Sequence, residues 1–194
     1  MKKATLIIII FITSLSSFAQ DNENKNDDKI KKHELKLNAF NTIIFKSLDF
    51  SYEYLLDSES SVGISVLINL QNDETDFFED GPYYNESYAI TPYYRHFFSR
   101  KYAWGFFMEA FAMYNQQKIY DTYYIDNGND PNLITDDETS SNFALGLAVG
   151  GKFVSKKGFL FEFFGGIGRN LAISNNDVAT EFVPRLGMSL GYRF

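Results

Sequence analysis

From residue 34 onward the chain divides into segments of about ten residues in which apolar residues alternate with small or polar ones. In RLGMSLGYRF (185–194), Leu186, Met188, Leu190, Tyr192 and Phe194 stand against Arg185, Gly187, Ser189, Gly191 and Arg193. Alternation of period two means a strand with two unlike faces, because successive side chains leave opposite sides of the backbone. Eight such segments are legible, at 34–45, 47–57, 62–70, 88–99, 103–118, 142–154, 159–171 and 183–194. The joint near Phe45–Leu48 carries the weakest boundary signal.

The connections sort by length. Short ones fall at Asp57–Ser61, Ser99–Tyr102 and Ser155–Gly158, and long ones at 71–87, 120–141 and 172–182. Long and short alternate along the chain, so an up-and-down barrel places all the long loops at one end. Short turns at one end and long loops at the other are the habit of transmembrane barrels. Charge follows the same division. Loops 71–87 and 120–141 hold acids and no bases, whereas the tight turns hold Arg100-Lys101 and Lys156-Lys157. The plain explanation of these charges is solvation; they also mark one end acidic and the other basic.

One face of the segments is rich in Leu, Ile, Val and Phe; the other carries Gly, Ala, Ser and one or two charges per strand. A water-soluble barrel would need charge over its whole outer surface, with the apolar side chains inside. Here the small-residue face suits a crowded interior and the bulky apolar face suits lipid. The expectation is an all-β protein, an eight-stranded antiparallel up-and-down transmembrane β-barrel over residues 34–194. Tyr93, Phe97, Phe107, Phe111 and Met113 break the pattern and are read as filling the lumen at one level. The inward face then collects Lys36, Arg95, Lys152, Arg185 and Arg193 with Asp49, Glu53, Glu109 and Glu162. Charges withdrawn from water need partners, since an isolated buried ion costs several kcal/mol. An ion-paired core is the simpler reading of them, and a narrow selective pore the alternative. Tyr83, Tyr84, Tyr88, Tyr114, Tyr120, Tyr123 and Tyr124 gather toward the long loops, with Tyr102 and Trp104 at the turn end. Both sets fit interfacial aromatic girdles.

The first residues, MKKATLIIIIFITSLSSFAQ, have a basic start, an apolar core too short for a spanning helix and the small-residue site Ser17-Phe18-Ala19. They predict a secretory signal over 1–19, cut between Ala19 and Gln20. A charged, amide-rich segment at 20–33 is read as a flexible leader to the barrel. Acidic residues outnumber basic ones 25 to 18, which argues against a nucleic-acid partner. Aromatic residues make up 18% of the chain, heavy for a soluble domain, and no later run is long enough for a membrane helix. Membrane entry would therefore use strands.

The stretches TPYYRHFF (91–98), WGFFMEAFAMY (104–114), FALGLAVGGKFVSKKGFLFEFFGGIGRN (143–170) and VPRLGMSLGYRF (183–194) resemble the small outer-membrane β-barrel proteins of Gram-negative bacteria. The resemblance implies outer-membrane lipid and the outer-membrane insertion machinery as partners. It also implies an assembly signal on the last strand at Leu190, Tyr192 and Phe194. It names no activity and no external ligand.

Reactive chemistry is sparse. There is no cysteine, and the histidines are His33, in the leader segment, and His96, on the outward parity of its strand. Neither a Ser-His-acid arrangement nor a transition-metal set is spelled out. The run Gly165-Gly166-Ile167-Gly168 sits in a strand with no helix after it, unlike a phosphate loop. Asp126, Asn127, Asn129 and Asp130 offer oxygen ligands for calcium, but their spacing is not that of an EF-hand and equally suits a turn. The expectation is a non-enzymatic protein with no cofactor and no resident metal, in a structural or surface-interaction role.

Overall fold

The computed structural model describes residues 31–70, 86–126, 131–175 and 180–194, with backbone alone for 119–126 and 131–137. The expected signal segment and cleavage site at Ala19–Gln20 lie outside the described residues, as do Tyr83, Tyr84 and the oxygen-rich stretch 127–130.

Eight strands form one closed antiparallel barrel in sequence order: β1 (His33–Asn38), β2 (Ser47–Leu55), β3 (Ser60–Asn69), β4 (Glu86–Phe97), β5 (Gly105–Asp126), β6 (Pro131–Val154), β7 (Phe159–Ile173) and β8 (Phe182–Arg193). β8 closes the ring on β1 through Leu35↔Tyr192 and Leu37↔Leu190. Past the barrel, His33 and Phe194 exchange backbone hydrogen bonds of 3.2 and 2.8 Å. Closure leaves no free sheet edge along that stretch.

Two expected boundaries are corrected. The segment 34–45 is not one strand: Ala39–Ile44 form a short helix, α1. Asn38 starts it, its side-chain oxygen accepting from the backbone N–H of Asn41 at 3.4 Å. Lys46, in the left-handed region at φ 49°, returns the chain into β2. Segment 120–141 is not a long loop either. β5 and β6 pair residue by residue from Gly105↔Lys152 to Asp126↔Pro131. β4 reaches β5 only as far as Gln117, and β7 reaches β6 only as far as Asn142. Beyond them β5 and β6 run on as a ribbon paired with itself.

At the opposite end the turns are tight. In the β2–β3 turn, Asp57 accepts from the Glu59 N–H at 2.8 Å and from the Ser60 hydroxyl at 2.6 Å. These donors hold its carboxyl below the ordinary range. Gly158, at φ 94°, closes the β6–β7 turn.

Bulky apolar residues cover the outside of every strand: Leu35, Phe50, Ile64, Ile90, Met108, Leu147, Ile167 and Leu190 are all exposed. The inside holds two apolar clusters. Leu55, Phe97, Ala103, Phe107 and Phe164 lie toward the tight turns; Leu67, Ala89, Tyr93, Phe111, Met113, Ala144, Ala148 and Val183 lie further up. The five residues that broke the alternation are all among them, at two levels and not at the one expected: Phe97 and Phe107 in the lower cluster, Tyr93, Phe111 and Met113 in the upper. Glycines make room for these rings: a Cβ on Gly63 would strike Tyr93, and one on Gly146 would strike Phe111. A Cβ on Gly166 would fall onto Ala148 and the carbonyl of Leu147, neither of which is a flexible tip. Gly166→Val should lower stability by about 1–3 kcal/mol, read as an earlier unfolding midpoint in urea.

Candidate functional site

The interior charges form one connected network. Glu53, fully buried on β2, sits at its centre. It accepts from Lys36 at 2.5 Å, Lys152 at 2.5 Å, Arg95 at 2.9 Å and the hydroxyl of Ser61 at 2.6 Å. Arg95 on β4 spreads over three acids, meeting Glu53 at 2.9 Å, Glu109 at 2.7 Å and Glu162 at 2.8 Å. Lys36 also reaches Glu162 at 3.0 Å, and Arg185 reaches Glu109 at 2.6 Å. Several of these links join strands that are not neighbours in the sheet, such as β4 with β7 and β6 with β1. Such bonds can only cross the lumen.

Aromatic faces flank the guanidinium groups. The Arg95 guanidinium carbon lies 4.3 Å from the ring centre of Phe107 and 4.6 Å from that of Tyr93. Arg185 approaches Tyr93, Phe111 and Phe164 at 5.2–5.4 Å. Cation–π contact gains strength where water is excluded, so these rings complement the charges as well as filling space.

Each charge read as inward from the sequence has a definite place. Lys36, Asp49, Glu53, Arg95, Glu109, Lys152, Glu162 and Arg185 are buried, and Arg193 is partly buried at the tight-turn end. Asp49 differs from the rest: among the described residues it forms no ion pair. Its carboxylate instead accepts from the amides of Asn38 and Asn41, each at 2.9 Å. Glu34 was not among the expected interior charges. It is fully buried, 2.7 Å from Lys152 and 2.6 Å from Arg193. With Glu34 the ion-paired network holds five cations and four acids, and Asp49 is a further buried acid held by amides instead. Arg193 donates further to the carbonyls of Tyr102 and Ala103 at 3.1 and 2.8 Å, tying the end of β8 to the β4–β5 turn.

Above the upper apolar cluster lies a layer of uncharged polar side chains. Asn142 donates to Asn115 at 3.1 Å, Gln117 to Thr180 at 3.1 Å, and Asn170 to the carbonyl of Thr180 at 2.7 Å. Buried Glu86 lies beside Gln117 at the same level. Between this layer and the charges, a cavity of about 10 Å³ is lined by Asn41, Asp49, Ser65, Thr91 and Arg185, among others. That is space for one water molecule.

Neither histidine joins the interior. His33 bonds the Tyr52 hydroxyl at 2.7 Å and stacks on Phe194, while His96 packs edge-on against Phe98 on the outer side. Of the expected girdle, Trp104 lies 5.4 Å from Phe153 under the ammonium of Lys101, and Tyr88 lies 6.2 Å from Tyr114. Tyr102 departs from the expectation. It packs against the lower inner cluster. Leu190, Tyr192 and Phe194 are exposed together on the outer face of β8.

The arrangement pairs charges and locks strands together. Removing one partner should be costly: Glu109→Gln leaves Arg95 and Arg185 competing for one neutral oxygen. The expected loss is about 3 kcal/mol, measurable as a shift in the urea midpoint. Comparison with protein-family models, with curated proteins and with solved structures finds no match.

Proposed function

We propose that this chain is an integral outer-membrane barrel, exported by its N-terminal leader, with a closed, ion-paired interior and a structural or surface-interaction role without catalysis. The observation that carries this reading is the outer surface. Large apolar side chains are exposed on all eight strands, with Leu147 at 61% and Ile167 at 59%, while the charges lie inside. Water-soluble monomers seldom expose contiguous apolar patches beyond a few hundred Å². A closed barrel satisfies its backbone internally, which is what a bilayer requires. Strands β2 to β8 have nine residues or more, which suits a tilted span of about 9–11 residues, and β1, with six, is continued in the wall by α1.

The closed lumen follows from the contents of the interior: two apolar clusters, a compensated ion network and an amide layer. On this reading, Leu190, Tyr192 and Phe194 form the outward row that the insertion machinery recognises, and the β5–β6 ribbon stands on the external side. The test is conductance of the refolded protein in a planar bilayer. The expected result is no stable unitary current. Stable currents that change with Arg95→Ala or Glu109→Ala would make the interior a pore instead.

A further inference from the structure

The barrel wall is a continuous ladder except between β8 and β2, where β1 is too short to fill the gap. β1 pairs with β8 only from Asn38↔Ser189 to Glu34↔Arg193, although β8 begins at Phe182. Residues 182–188 therefore have β7 on one side and no strand on the other. Helix α1 lies against β8 in that gap.

What holds it there is buried Phe45 at its C-terminal end and a handful of side-chain bonds. The Asn38 amide imitates a strand residue, donating to the carbonyl of Leu186 and accepting from the N–H of Met188, both at 3.1 Å. Asn41 donates to Asp49 at 2.9 Å. Pro184, on the same edge, brings no N–H to be satisfied. Six residues are far too few for a helix to persist unaided, so its position depends on these contacts. Outward it exposes Ile43, at 73%, and Ile44, beside exposed Leu186 and Met188. Directly behind it lies the small polar cavity, and Asn41 is one of its walls.

We propose that α1 is a side door. It swings out of the wall by breaking the Asn41–Asp49 bond to β2 and opens the cavity at Asp49 and Arg185 to the surface outside the barrel. The inference rests on the membrane reading, which sets that surface against lipid. Entry from the barrel ends is blocked by the lower apolar cluster and by the amide layer. On that reading only a small, uncharged, membrane-soluble reagent reaches the cavity wall through the door, and only while α1 is displaced, since the closed cavity holds about one water.

The absence of cysteine makes this directly measurable. Ser65→Cys places one thiol on the cavity wall, and Ala148→Cys places one on β6, among the buried residues that do not line the cavity. Each is refolded into phosphatidylcholine vesicles and exposed to N-ethylmaleimide or to a charged, membrane-impermeant thiosulfonate. Ser65→Cys should react with N-ethylmaleimide about tenfold faster than with the charged reagent, relative to their rates on a free thiol. Adding Asn41→Ala should speed maleimide labelling at position 65 by about tenfold again, the scale of one lost hydrogen bond to a charged group, and leave position 148 unchanged. Equal relative rates for the two reagents overturn the door, as does acceleration that is absent or equal at both positions. If Asn41→Ala does not fold, the reagent comparison on Ser65→Cys alone decides. Failure of every variant to enter vesicles overturns the membrane reading and the door with it. An inserted protein that labels without preference overturns the door alone.

Discussion

Replacing Glu53 with glutamine should destabilise the barrel by about 3–5 kcal/mol, the usual cost of leaving a buried charge without its partner. Among the described residues, no other interior acid answers three cations at once. Lys36, Lys152 and Arg95 all lie within 2.9 Å of its carboxylate. Glutamine keeps the shape but removes the charge, and its NH₂ group turns a donor toward one of the ammonium groups. The ion-paired network goes from four acids against five cations to three, around a side chain with no exposed surface. The readout is the urea midpoint of the folded, unboiled gel band in detergent. A second variant separates charge from shape. Lys152→Met in the Glu53→Gln background restores the wild-type net charge but leaves Glu34 to Arg193 alone, so recovery should be partial. A midpoint for Glu53→Gln within about 0.5 kcal/mol of wild type, the range of ordinary surface changes, would contradict the compensated network.

The second large effect is on the outer face. Leu147→Arg should cost about 2–4 kcal/mol in a bilayer, the penalty for a cation near the midplane of a barrel's lipid face. Leu147 lies in the middle stretch of β6, opposite Ala110 on β5 and Ile167 on β7, and is 61% exposed. If this surface faced water, the same change would fall within about 0.5 kcal/mol and would improve solubility. Phe159→Arg supplies the depth control. Phe159 begins β7 beside the tight turn, where the cost falls to about 0–1 kcal/mol. The gradient between the two positions is the signature of a membrane, which no uniform solvent reproduces.

The alternating pattern made the barrel and its two faces legible, because period-two burial is a local property of each strand. The interior charges were legible for the same reason, as parity alone puts Lys152 and Glu162 on the inward side. Their partners were not. Lys152 meets Glu34 across 118 residues of chain, and only closure of β8 on β1 brings β1 near that lysine. Glu34 was passed over because it stands next to a charged leader, where a glutamate reads as solvated. Helix α1 was hidden because Asn38 serves both sides: its amide caps the helix and extends the β8 ladder. The upper β5–β6 ribbon was hidden by its acids and turn residues. A two-stranded ribbon is held by its own backbone ladder and needs no apolar face to announce it.

Fractionation of expressing cells tests the central claim most directly. The barrel should sediment with the outer membrane, resist extraction by alkaline carbonate, and run faster on a detergent gel unboiled than boiled. Recovery as a soluble monomer outside the membrane fraction, with no mobility difference on boiling, would contradict it.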